Sequence, residues 1–392
     1  MKKILALILA ALLVFCMFAC AKEESVDETN EEEAVINDVS KTTDEGVYTY
    51  ELNSDGDYEI TGFTPETLDP LTLTLPDTTT EGRDIVGIAK DAFKTVLTLK
   101  SVTIPATYTY ISDYAFYGCE NLETVVTADG LTDLGKGVFQ NCVKLSAITL
   151  AKTVTAIPED AFYGCKALTS IDLSGDTASV ERGAFFGCDE LTTVTFSDKI
   201  SYVSAYAFLN SAKIVYTVEN GAKYLGNTAN PHLVLVAAED LNVETCTVND
   251  NTKVIADRAF AYCSYLETVT LGKNVTCING TCFENDPEYD EFFGGEEAPV
   301  VNLTFNEKDG GLYLGNADNA YMVLISVDKP AAVEDFKIAD SVKIIADTAF
   351  AYCVNLEDIS YAGTQAEWDA VIKSANWNHD MTVNVHCAEA AN

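Results

Sequence analysis

Residues 157–173 read IPEDAFYGCKALTSIDL, and the same pattern of residue types returns along much of the chain. Each copy contains one phenylalanine at a fixed point of the pattern. Six of these residues follow one another at 23-residue spacing: Phe93, Phe116, Phe139, Phe162, Phe185 and Phe208. Two more, Phe260 and Phe283, repeat the spacing, and Phe350 belongs to a last copy. Five consecutive equal steps predict a repeat architecture, in which each unit packs on its neighbours.

Apolar residues recur at fixed distances from each phenylalanine. An aliphatic residue lies five positions before it in all nine copies, as Ile157 lies before Phe162. The fuller copies continue with Cys three positions after the ring, Leu six after, and alternating apolar residues such as Ile171 and Leu173. This alternation predicts a short strand with apolar side chains inward and Thr, Ser and Asp outward. One unit cannot bury its apolar side alone, so we expect strands of successive units to stack about 4.8 Å apart.

The pattern Ile-x-x-x-Ala-Phe-x-x-Cys-x-x-Leu-x-x-Val-x-Leu resembles the BspA-type leucine-rich repeats of bacterial surface proteins, over roughly residues 47–388. Residues 48–63, YTYELNSDGDYEITGF, are similar to the N-terminal hairpin of that family, and residues 361–368 with 376–378 resemble its closing segment. Thr364 and Glu367 predict a capping box for a short helix that runs to about Ile372. The expected fold is a β-rich leucine-rich-repeat solenoid with hairpin-containing insertions and a short C-terminal capping helix.

Two departures from the 23-residue register follow Phe208 and Phe283. Both contain YLGN, at 224–227 and 313–316, followed by LVLV at 233–236 or MVLI at 322–325. A duplicated insertion that carries a β-hairpin is the simplest interpretation. The predicted divisions are a signal peptide (1–19), an acidic disordered tether (20–46), an N-terminal hairpin cap (47–84), repeats (85–214), a hairpin insertion (215–250), repeats (251–283), a second hairpin-containing insertion (284–341), the last repeat (342–361) and a C-terminal cap (362–392).

The first twenty residues have the composition of an export signal. Lys2 and Lys3 precede an apolar run from residue 4 to 18, and Ala19 lies directly before Cys20. Residues 17–20 resemble the end of bacterial lipoprotein signals, which predicts a lipidated Cys20 and a lipoprotein anchored to the membrane of a bacterial cell envelope. The alternative is an uncleaved spanning helix, since the run is near the length that crosses a bilayer. Both interpretations predict that the rest of the chain is extracytoplasmic.

The charge balance limits the partners. The chain has 24 Lys and Arg against 61 Asp and Glu, a formal net charge of −37. Binding to nucleic acid or directly to an anionic membrane surface is therefore unfavourable, and the lipid anchor is the only membrane contact we expect. A neutral or basic partner is more compatible, although surplus carboxylates also serve simply to keep an exported protein soluble.

The twelve cysteines suggest disulfides by number but not by position. Six share the third position after the ring and are expected to be buried free thiols: Cys119, Cys142, Cys165, Cys188, Cys263 and Cys353. A column with one thiol per turn does not surround a point, so structural zinc is disfavoured. Four others lie outside the column, and a disulfide among them stays open: Cys246, Cys277, Cys282 and Cys387.

No catalytic group can be nominated from spacing. The chain has three histidines, His232, His379 and His386, and its glycines recur with the repeat instead of forming a phosphate-binding loop. We therefore expect no enzyme and no cofactor. Seven carboxylates crowd the second insertion, at positions 284, 286, 288, 290, 291, 296 and 297. They lack the ordered spacing of a calcium loop, so a solvated acidic loop is favoured over a calcium site.

The outward positions of the strands supply the candidate binding surface. Hydroxyl residues recur eight and ten positions after the ring, which predicts parallel rows on one face, and aromatic residues recur directly after the ring. The candidate residues are Thr103, Thr124, Thr149, Ser170, Thr193, Thr195, Thr268, Thr270, Tyr117, Tyr163 and Phe186. The rows are equally explained as the small β-favouring surface that a solenoid needs, and the aromatic residues by local packing over the turn.

A cell-surface binding or adhesion module is the preferred function, because a solenoid displays a long face and no reaction centre is visible. Members of the resembled family bind extracellular matrix components or other cells, which implies an extracellular protein or glycan as partner. An envelope structural or spacer protein without a specific ligand is the alternative. An enzyme with its site in the insertions is more remote, and it predicts titratable residues clustered around His232.

Replacement of Cys20 by Ala is expected to abolish lipid attachment, because the thioether to diacylglycerol requires this thiol. Cys16 cannot take over, since it is preceded by the bulky Phe15. Metabolic labelling with a fatty acid tests this expectation. Label that remains on the Cys20→Ala chain would contradict it.

Overall fold

The structure, a computed structural model, describes residues 40–43, 46–285, 301, 303–374, 377–378 and 381–388. The predicted signal peptide, Cys20, most of the tether, His379 and six of the seven insertion carboxylates lie outside these residues. In the part of the chain that is described, no helix is long and apolar enough to span a membrane.

Each 23-residue unit forms one turn with two strands, of which the sequence pattern predicted only the second. In the unit around Phe116, a two-residue strand, Tyr110–Ile111, precedes the ring, and a longer strand, Thr124–Thr127, follows it. Both pair in parallel with the same strand of the next unit, so that Ile111 faces Leu134. The aliphatic residue five positions before the ring therefore belongs to a second sheet, formed by the short strands.

The first stack contains twelve strands beyond the N-terminal hairpin. They are β4 (Leu71–Thr74), β5 (Ile85–Ile88), β6 (Leu99–Ile104), β7 (Tyr110–Ile111), β8 (Thr124–Thr127), β9 (Asp133–Leu134), β10 (Ala147–Thr149), β11 (Ala156–Ile157), β12 (Ser170–Leu173), β13 (Ser179–Val180), β14 (Thr193–Phe196) and β15 (Tyr202–Val203), followed by a 3₁₀ turn at Ala205–Phe208. The long strands pair as β4-β6-β8-β10 and β12-β14, and the short ones as β5-β7-β9 and β11-β13-β15.

The phenylalanine rings form a buried ladder between the two sheets. Consecutive rings from Phe93 to Phe208 lie 4.9 to 5.5 Å apart, with interplanar angles no greater than 20°. From Phe93 to Phe185, the amide of each ring residue donates to the carbonyl of the residue before the next ring, as Phe162 N does to Ala184 O at 2.8 Å. The residue before each ring is buried beside the ladder, and its carbonyl accepts this bond whether it is Ala184 or Val138.

The N-terminal cap supplies the first ring of the ladder. Its strands are β1 (Ser40–Thr42), β2 (Gly46–Leu52) and β3 (Tyr58–Pro65), paired antiparallel as β1-β2-β3. Phe63 stacks on Phe93 with ring centroids 5.5 Å apart, and β3 then pairs in parallel with β5. Strand β1 extends the cap to Ser40, earlier than the predicted boundary at 47, because its backbone pairs with the outer edge of β2.

Both insertions repeat the arrangement of the N-terminal cap. The first contains β16 (Thr217–Glu219), β17 (Ala222–Leu225), β18 (Val234–Ala238) and β19 (Thr245–Thr247). The second contains β23 (Asn306–Lys308), β24 (Gly311–Leu314), β25 (Val323–Val327), a 3₁₀ turn at Pro330–Ala332, and β26 (Asp335–Ile338). In each, the predicted hairpin is extended to three antiparallel strands, and the third pairs in parallel with the next short strand.

A two-residue turn with positive φ closes each of these hairpins. Asn220 and Gly221 have φ values of 49° and 84°, and Asp309 and Gly310 have 50° and 83°. Asn-Gly and Asp-Gly are the pairs that adopt such turns with the least strain. Each insertion thus begins a new stack, as the cap begins the first one.

The second and third stacks are short. The second continues with β20 (Val254–Ile255), β21 (Thr268–Thr270), β22 (Cys277–Ile278) and a 3₁₀ turn at Gly280–Phe283. The third continues with β27 (Ile344–Ile345), β28 (Asp358–Tyr361), α1 (Gln365–Ala370), β29 (Ile372–Lys373) and β30 (Asn384–Cys387). Their sheets run β16-β17-β18-β20-β22 with β19-β21, and β23-β24-β25-β27-β29 with β26-β28-β30.

The first short strand of each of these two stacks, β20 and β27, is buried on both faces. In the first stack the outward residue of a short strand is half-buried, as Tyr110 is, whereas Val254 and Ile344 are buried. Ile344 belongs to the large core that begins in the first stack, while its neighbour Ile345 belongs to a separate core of the third stack. The runs LVLV and MVLI are apolar without alternation because their strands pack on both sides.

The predicted helix is present, and it is shorter than expected. Helix α1 begins after Thr364, whose Oγ1 accepts from Glu367 N at 3.3 Å while the Glu367 carboxylate accepts from Thr364 N at 2.8 Å. It ends at Ala370, because Ile372 enters strand β29. Trp368 is buried, and its ring contacts that of Trp377, which in turn lies edge-on to Phe350 at 5.9 Å. These rings cover the last turn.

The cysteine column has a specific role in the turn. All six members are buried as free thiols. Where the geometry is regular, each thiol donates to the carbonyl of the ring residue one turn back, as Cys165 Sγ does to Phe139 O at 3.2 Å. Burial raises the pKa of Cys188 to about 12, so its thiol stays protonated and remains a donor at neutral pH. Ser211 replaces cysteine after Phe208, and its hydroxyl makes the equivalent bond to Phe185 O at 2.7 Å.

Phe162→Ala is expected to cost about 3–5 kcal/mol of unfolding free energy, the range for emptying a buried aromatic site. The exposed Thr149→Ala should cost under about 1 kcal/mol, as surface changes usually do. Chemical denaturation of the two variants measures both values. Equal costs, or a larger cost at Thr149, would mean that the inward and outward faces are wrongly assigned.

Cys165→Ser should destabilise the fold less than Cys165→Ala. The serine hydroxyl can donate to Phe139 O as Ser211 donates to Phe185 O, whereas alanine removes a bond that contributes about 1 kcal/mol. Denaturation midpoints of the two variants, compared with Ser211→Cys as the reverse exchange, test this. The opposite order would indicate that burying the hydroxyl costs more than its hydrogen bond contributes, and that the column selects cysteine for its apolar character.

Candidate binding face

The hydroxyl residues predicted to form rows do lie in register across the long strands. Thr124 faces Ser101 in the parallel pair β6 and β8, and its Oγ1 donates to Ser101 Oγ at 2.7 Å. Ser170 faces Thr193 in β12 and β14, and Thr268 faces Thr245 in β19 and β21. The partners Ser101 and Thr245 extend the row eight positions after the ring beyond the residues that the sequence analysis nominated.

The rows are interrupted at three points. In the first row Ala147 stands opposite Thr124. In the second row Val126 lies between Thr103 and Thr149, and it is 41% exposed. Asp172 faces Thr195 and forms an ion pair with Lys152 at 2.6 Å. The face is therefore a mixed surface of hydroxyls with two apolar positions and one charged position, and not a uniform hydroxyl array.

The first insertion divides the face. Thr268 and Thr270 pair with Thr245 and Thr247 in a separate two-stranded sheet, while Thr195 forms an isolated parallel bridge with Gly226 of the first insertion. The nominated residues thus fall into two groups, one in the first stack and one in the second.

The three aromatic residues after the ring do not form one continuous row. Tyr163 and Phe186 stack face to face, with centroids 4.8 Å apart and an interplanar angle of 2°. Tyr117 instead packs edge-on against Tyr114, and Lys94 Nζ lies 5.5 Å from its ring centroid. The intervening turn has Gln140 at this position, which separates Tyr117 from the stacked pair. All three rings are half-buried.

A second set of hydroxyls was not recognised from the sequence. Seven positions before the ring, Thr109, Thr132 and Ser201 each donate to the main-chain carbonyl 23 residues earlier, at 3.1 to 3.2 Å. Their recurrence at 23-residue spacing was the available signal. These hydroxyls bond to the backbone of the neighbouring turn, so we assign them a structural role.

Exposed ion pairs also connect successive turns. Lysine and carboxylate residues 23 positions apart meet in Lys136–Glu159 at 2.8 Å and Lys213–Glu190 at 2.6 Å, with longer contacts in Lys100–Glu123 and Lys273–Asp250. Each contributes little to stability because it is solvated. Their effect on the surface is larger, since they occupy many of the few lysines and leave carboxylates in excess.

His232 was the predicted centre of an alternative catalytic site. Its Nε2 lies 2.8 Å from Glu219, and its ring lies edge-on to Tyr224 at 5.1 Å. Asn249 donates to the same carboxylate at 2.9 Å. This histidine and carboxylate pair ties β16 to the loop before β18. The hydroxyl of Thr252 donates to the main-chain carbonyl of His232 at 2.9 Å, so that it bonds to the backbone.

Among the described residues, no three His, Cys, Asp or Glu side chains form a group that could hold a metal ion. Of the carboxylates considered for calcium, only Glu284 lies within them. The four cysteines outside the column, including Cys277 and Cys387, carry free thiols.

A protein-family model described as "BspA type Leucine rich repeat region" matches the chain in six copies, over residues 86–215, 237–293 and 329–369. These ranges comprise more than half of the chain. No curated protein matches it.

Several solved structures are similar to this chain. A leucine rich cell surface protein from Faecalibacterium prausnitzii is 22% identical over 85% of this chain and 97% of that chain, with a TM-score of 0.42. A T. pallidum leucine rich repeat protein is 19% identical over 65% and 97%, with a TM-score of 0.42. The pneumococcal vaccine antigen PcpA is 13% identical over 90% and 99%, with a TM-score of 0.34. Nothing about function follows from similarities this distant.

Proposed function

Because the chain belongs to the BspA-type leucine-rich repeat family, we propose that it is a cell-surface binding or adhesion module. Its solenoid face would contact an extracellular protein or glycan. The observation that carries the proposal is the register of the long strands, which aligns solvent-facing hydroxyls from turn to turn without any role for them in the core. Leucine-rich repeats are a non-enzymatic fold, and the proposal assigns this chain no catalytic residue and no cofactor.

The exposed hydroxyls supply the polar part of the proposed surface. Thr149, Ser170 and Thr193 are exposed, and each can donate and accept a hydrogen bond. Successive strands hold such groups at a spacing of about 4.8 Å, so a partner with a regular backbone or repeating sugar units can contact several turns at once. The stacked pair Tyr163 and Phe186 supplies a rigid aromatic anchor of the kind that concentrates binding energy.

The chemistry of the partner follows from charge. With a formal charge of −37 the chain repels polyanions, and its ion-paired lysines do not form a basic strip. A neutral or basic protein or a neutral glycan is compatible with this surface, and nucleic acid is not. We further propose an extracytoplasmic position in a bacterial cell envelope, with a lipid on Cys20 as the membrane attachment. Cys20 lies outside the described residues.

The alternative function, an envelope spacer without a ligand, predicts a different experimental result. It requires that no matrix protein or glycan binds saturably to the chain. A screen of these two classes against the full chain therefore precedes the test of the face.

Replacement of Tyr117, Tyr163 and Phe186 together by Ala is expected to weaken partner binding by more than about 1.4 kcal/mol, a tenfold change. The physical reason is the loss of aromatic contact area in three turns. A Lys scan of Thr149, Ser170 and Thr193 should also weaken binding, because a long charged side chain would stand between the face and its partner. Titration calorimetry with the partner found in the screen measures both.

The matched control is Tyr352→Ala, which removes an aromatic side chain that is 80% exposed and lies in the third stack, where no nominated residue lies. It should leave affinity unchanged. A partner whose affinity ignores both the triple change and the Lys scan would show that the face is not the binding site, and the insertions at 215–250 and 284–341 would then be the leading candidates.

A further inference from the structure

The two sheets of the first stack begin differently at its N-terminal end. The short-strand sheet is continued by the cap, because β1 and β2 pair antiparallel beyond β3. The long-strand sheet runs β10-β8-β6-β4, so that β4 is its first strand, and within the described residues no strand pairs with the outer side of β4. A strand in this position presents main-chain donors and acceptors to which another strand can bind.

Thr72 and Thr74 carry the main-chain groups on the outer side of β4. The bonds to β6 are made by the alternate residues from Leu71 to Leu75. Leu71 N donates to the carbonyl before β6 at 2.7 Å, and Leu75 N donates to Thr103 O at 2.9 Å. Successive residues direct their N–H and C=O groups to opposite sides of a strand, so those of Thr72 and Thr74 point away from β6. Both threonines are exposed.

The corresponding edge of the second stack is covered by the first insertion. Its first long strand is β19, and Val248 N donates towards β21, so Thr247 N points to the outer side. There Thr247 N donates to Asn220 O in the hairpin turn at 3.3 Å. The turn lies so close that a Cβ on Gly221 would be 2.7 Å from Thr245 O. The insertion thus covers this edge with its own backbone.

The corresponding edge of the third stack carries charged side chains. Its first long strand is β26, and Glu334 O accepts from Glu357 N, so the main-chain groups of Asp335 and Lys337 point to the outer side. Both side chains are exposed. Charges at an edge, lysine above all, oppose the approach of another strand. At the equivalent positions β4 has two threonines, which are uncharged and favour strands.

Exposed aliphatic side chains lie beside the beginning of β4. Leu68 is 95% exposed and Leu97 is 52% exposed, and together with Pro70 they line a concavity of about 250 Å³. An apolar side chain of an added strand can pack there. Pro70 has no N–H, so the outward donors of β4 are those of Thr72 and Thr74. The added strand is therefore short.

The lysines that line the same concavity have partners. Lys100 Nζ lies 3.5 Å from the Glu123 carboxylate, and Lys144 Nζ donates to Asn121 Oδ1 at 2.7 Å. Neither contact is completed by a charge on a bound segment. A neutral segment therefore fits this end of the strand.

We propose that the outer edge of β4 binds a short, extended and uncharged segment of a partner protein, whose backbone pairs with Thr72 and Thr74. The complement of alternating main-chain donors and acceptors is another extended polypeptide backbone. In this mode of recognition main-chain bonds provide affinity, and contacts of alternate side chains provide specificity. Here an aliphatic side chain of the segment contacts Leu68 and Leu97. A second copy of this chain fits less well, because two chains of formal charge −37 repel each other.

Hydrogen exchange of single amides in the folded full chain reports on this edge directly. Without a peptide, Thr72 N and Thr74 N should exchange at least about tenfold faster than Leu73 N, which lies in the ladder with β6 and exchanges only after local opening. Equal protection of the three amides at every chain concentration overturns the proposal, because the edge would then be covered. Protection that appears only as the chain concentration rises assigns the edge to a second copy and overturns it as well.

The probe is the peptide acetyl-Leu-Thr-Val-Thr-Val-amide, which is uncharged, favours an extended backbone and carries one leucine. At a concentration equal to its Kd it should slow exchange of Thr72 N and Thr74 N about twofold, and more above that, while Leu73 N stays unchanged. The control is the same peptide with N-methyl groups on its three central residues, which removes donors from both of its edges. It should bind at least about tenfold less tightly, because its bonds to β4 are lost. Absence of protection at millimolar probe, or equal protection by the control, overturns the proposal.

Thr74→Pro and Thr74→Val are the matched variants of the chain. Proline removes the outward donor and leaves the bonds to β6, whereas valine keeps the donor and a β-branched side chain. Thr74→Pro should weaken binding of the probe at least about fivefold and Thr74→Val less than about twofold, because only the first loses a hydrogen bond. Exchange at Thr72 N measures both, and retained protection of Leu73 N establishes that the edge is folded. Equal affinities of the two variants overturn the proposal.

Thr74→Lys replaces the proline variant if that chain loses the protection of Leu73 N. It keeps the backbone donor and places a charge at the edge, as Lys337 does in the third stack. It should also weaken binding of the probe, and an affinity equal to that of Thr74→Val overturns the proposal.

The solenoid face is tested separately from this edge. The combined replacement of Tyr117, Tyr163 and Phe186 by Ala should leave binding of the probe unchanged, since none of the three lies in β4 or lines the concavity. Failure of the proposed function and failure of strand addition are therefore distinguishable. Loss of probe binding in this triple variant would assign the peptide to the face and overturn the proposal for β4.

Discussion

The in-register contact between one turn and the next is the constraint on which this molecule depends. Each phenylalanine ring stacks on the ring 23 residues away, and its amide donates to the carbonyl that precedes the next ring. The ring, the small residue before it and the thiol or hydroxyl after it must therefore keep fixed positions in every unit. A shift by one residue would turn the apolar side chains of both strands outward, so the repeat length cannot vary inside a stack.

This constraint explains why the departures from the repeat have the form they do. An insertion within a turn would break the ladder, but a new antiparallel sheet can end one stack and begin another. The N-terminal cap and the two insertions share this design, with three antiparallel strands of which the last pairs in parallel with the first short strand. The stacks then pack against one another through the outer faces of their short-strand sheets, where Val254 and Ile344 are buried. A cleft lined by residues of β15, β22 and β29 is a consequence of this junction.

The role of each hydroxyl and thiol side chain depends on its position relative to the contacts between turns. Hydroxyls seven positions before the ring bond to the neighbouring backbone, and the cysteines donate to carbonyls inside the turn. The hydroxyls eight and ten positions after the ring have no such structural role, and those of Thr149 and Ser170 face solvent. The same residue type therefore has a structural role in one column and is available for binding in another, and position in the turn decides which.

The sequence by itself determined the repeat, its family and the existence of a short cap helix, because these depend on local spacing: Phe162 and Phe185 are 23 residues apart whatever the tertiary structure is. It also predicted that Ile157 and Cys165 face inward, since an apolar residue at a fixed place in a repeat has only the stack to bury it. What the spacing could not reveal was the second sheet of two-residue strands, because two residues are too short to show a period. The packing of Val254 and Ile344 on both faces, and the cleft that joins Tyr202, Cys277 and Ile372, were decided by the tertiary structure alone. They arise from contacts between stacks that lie far apart in the chain, and no local pattern encodes which outer faces will meet.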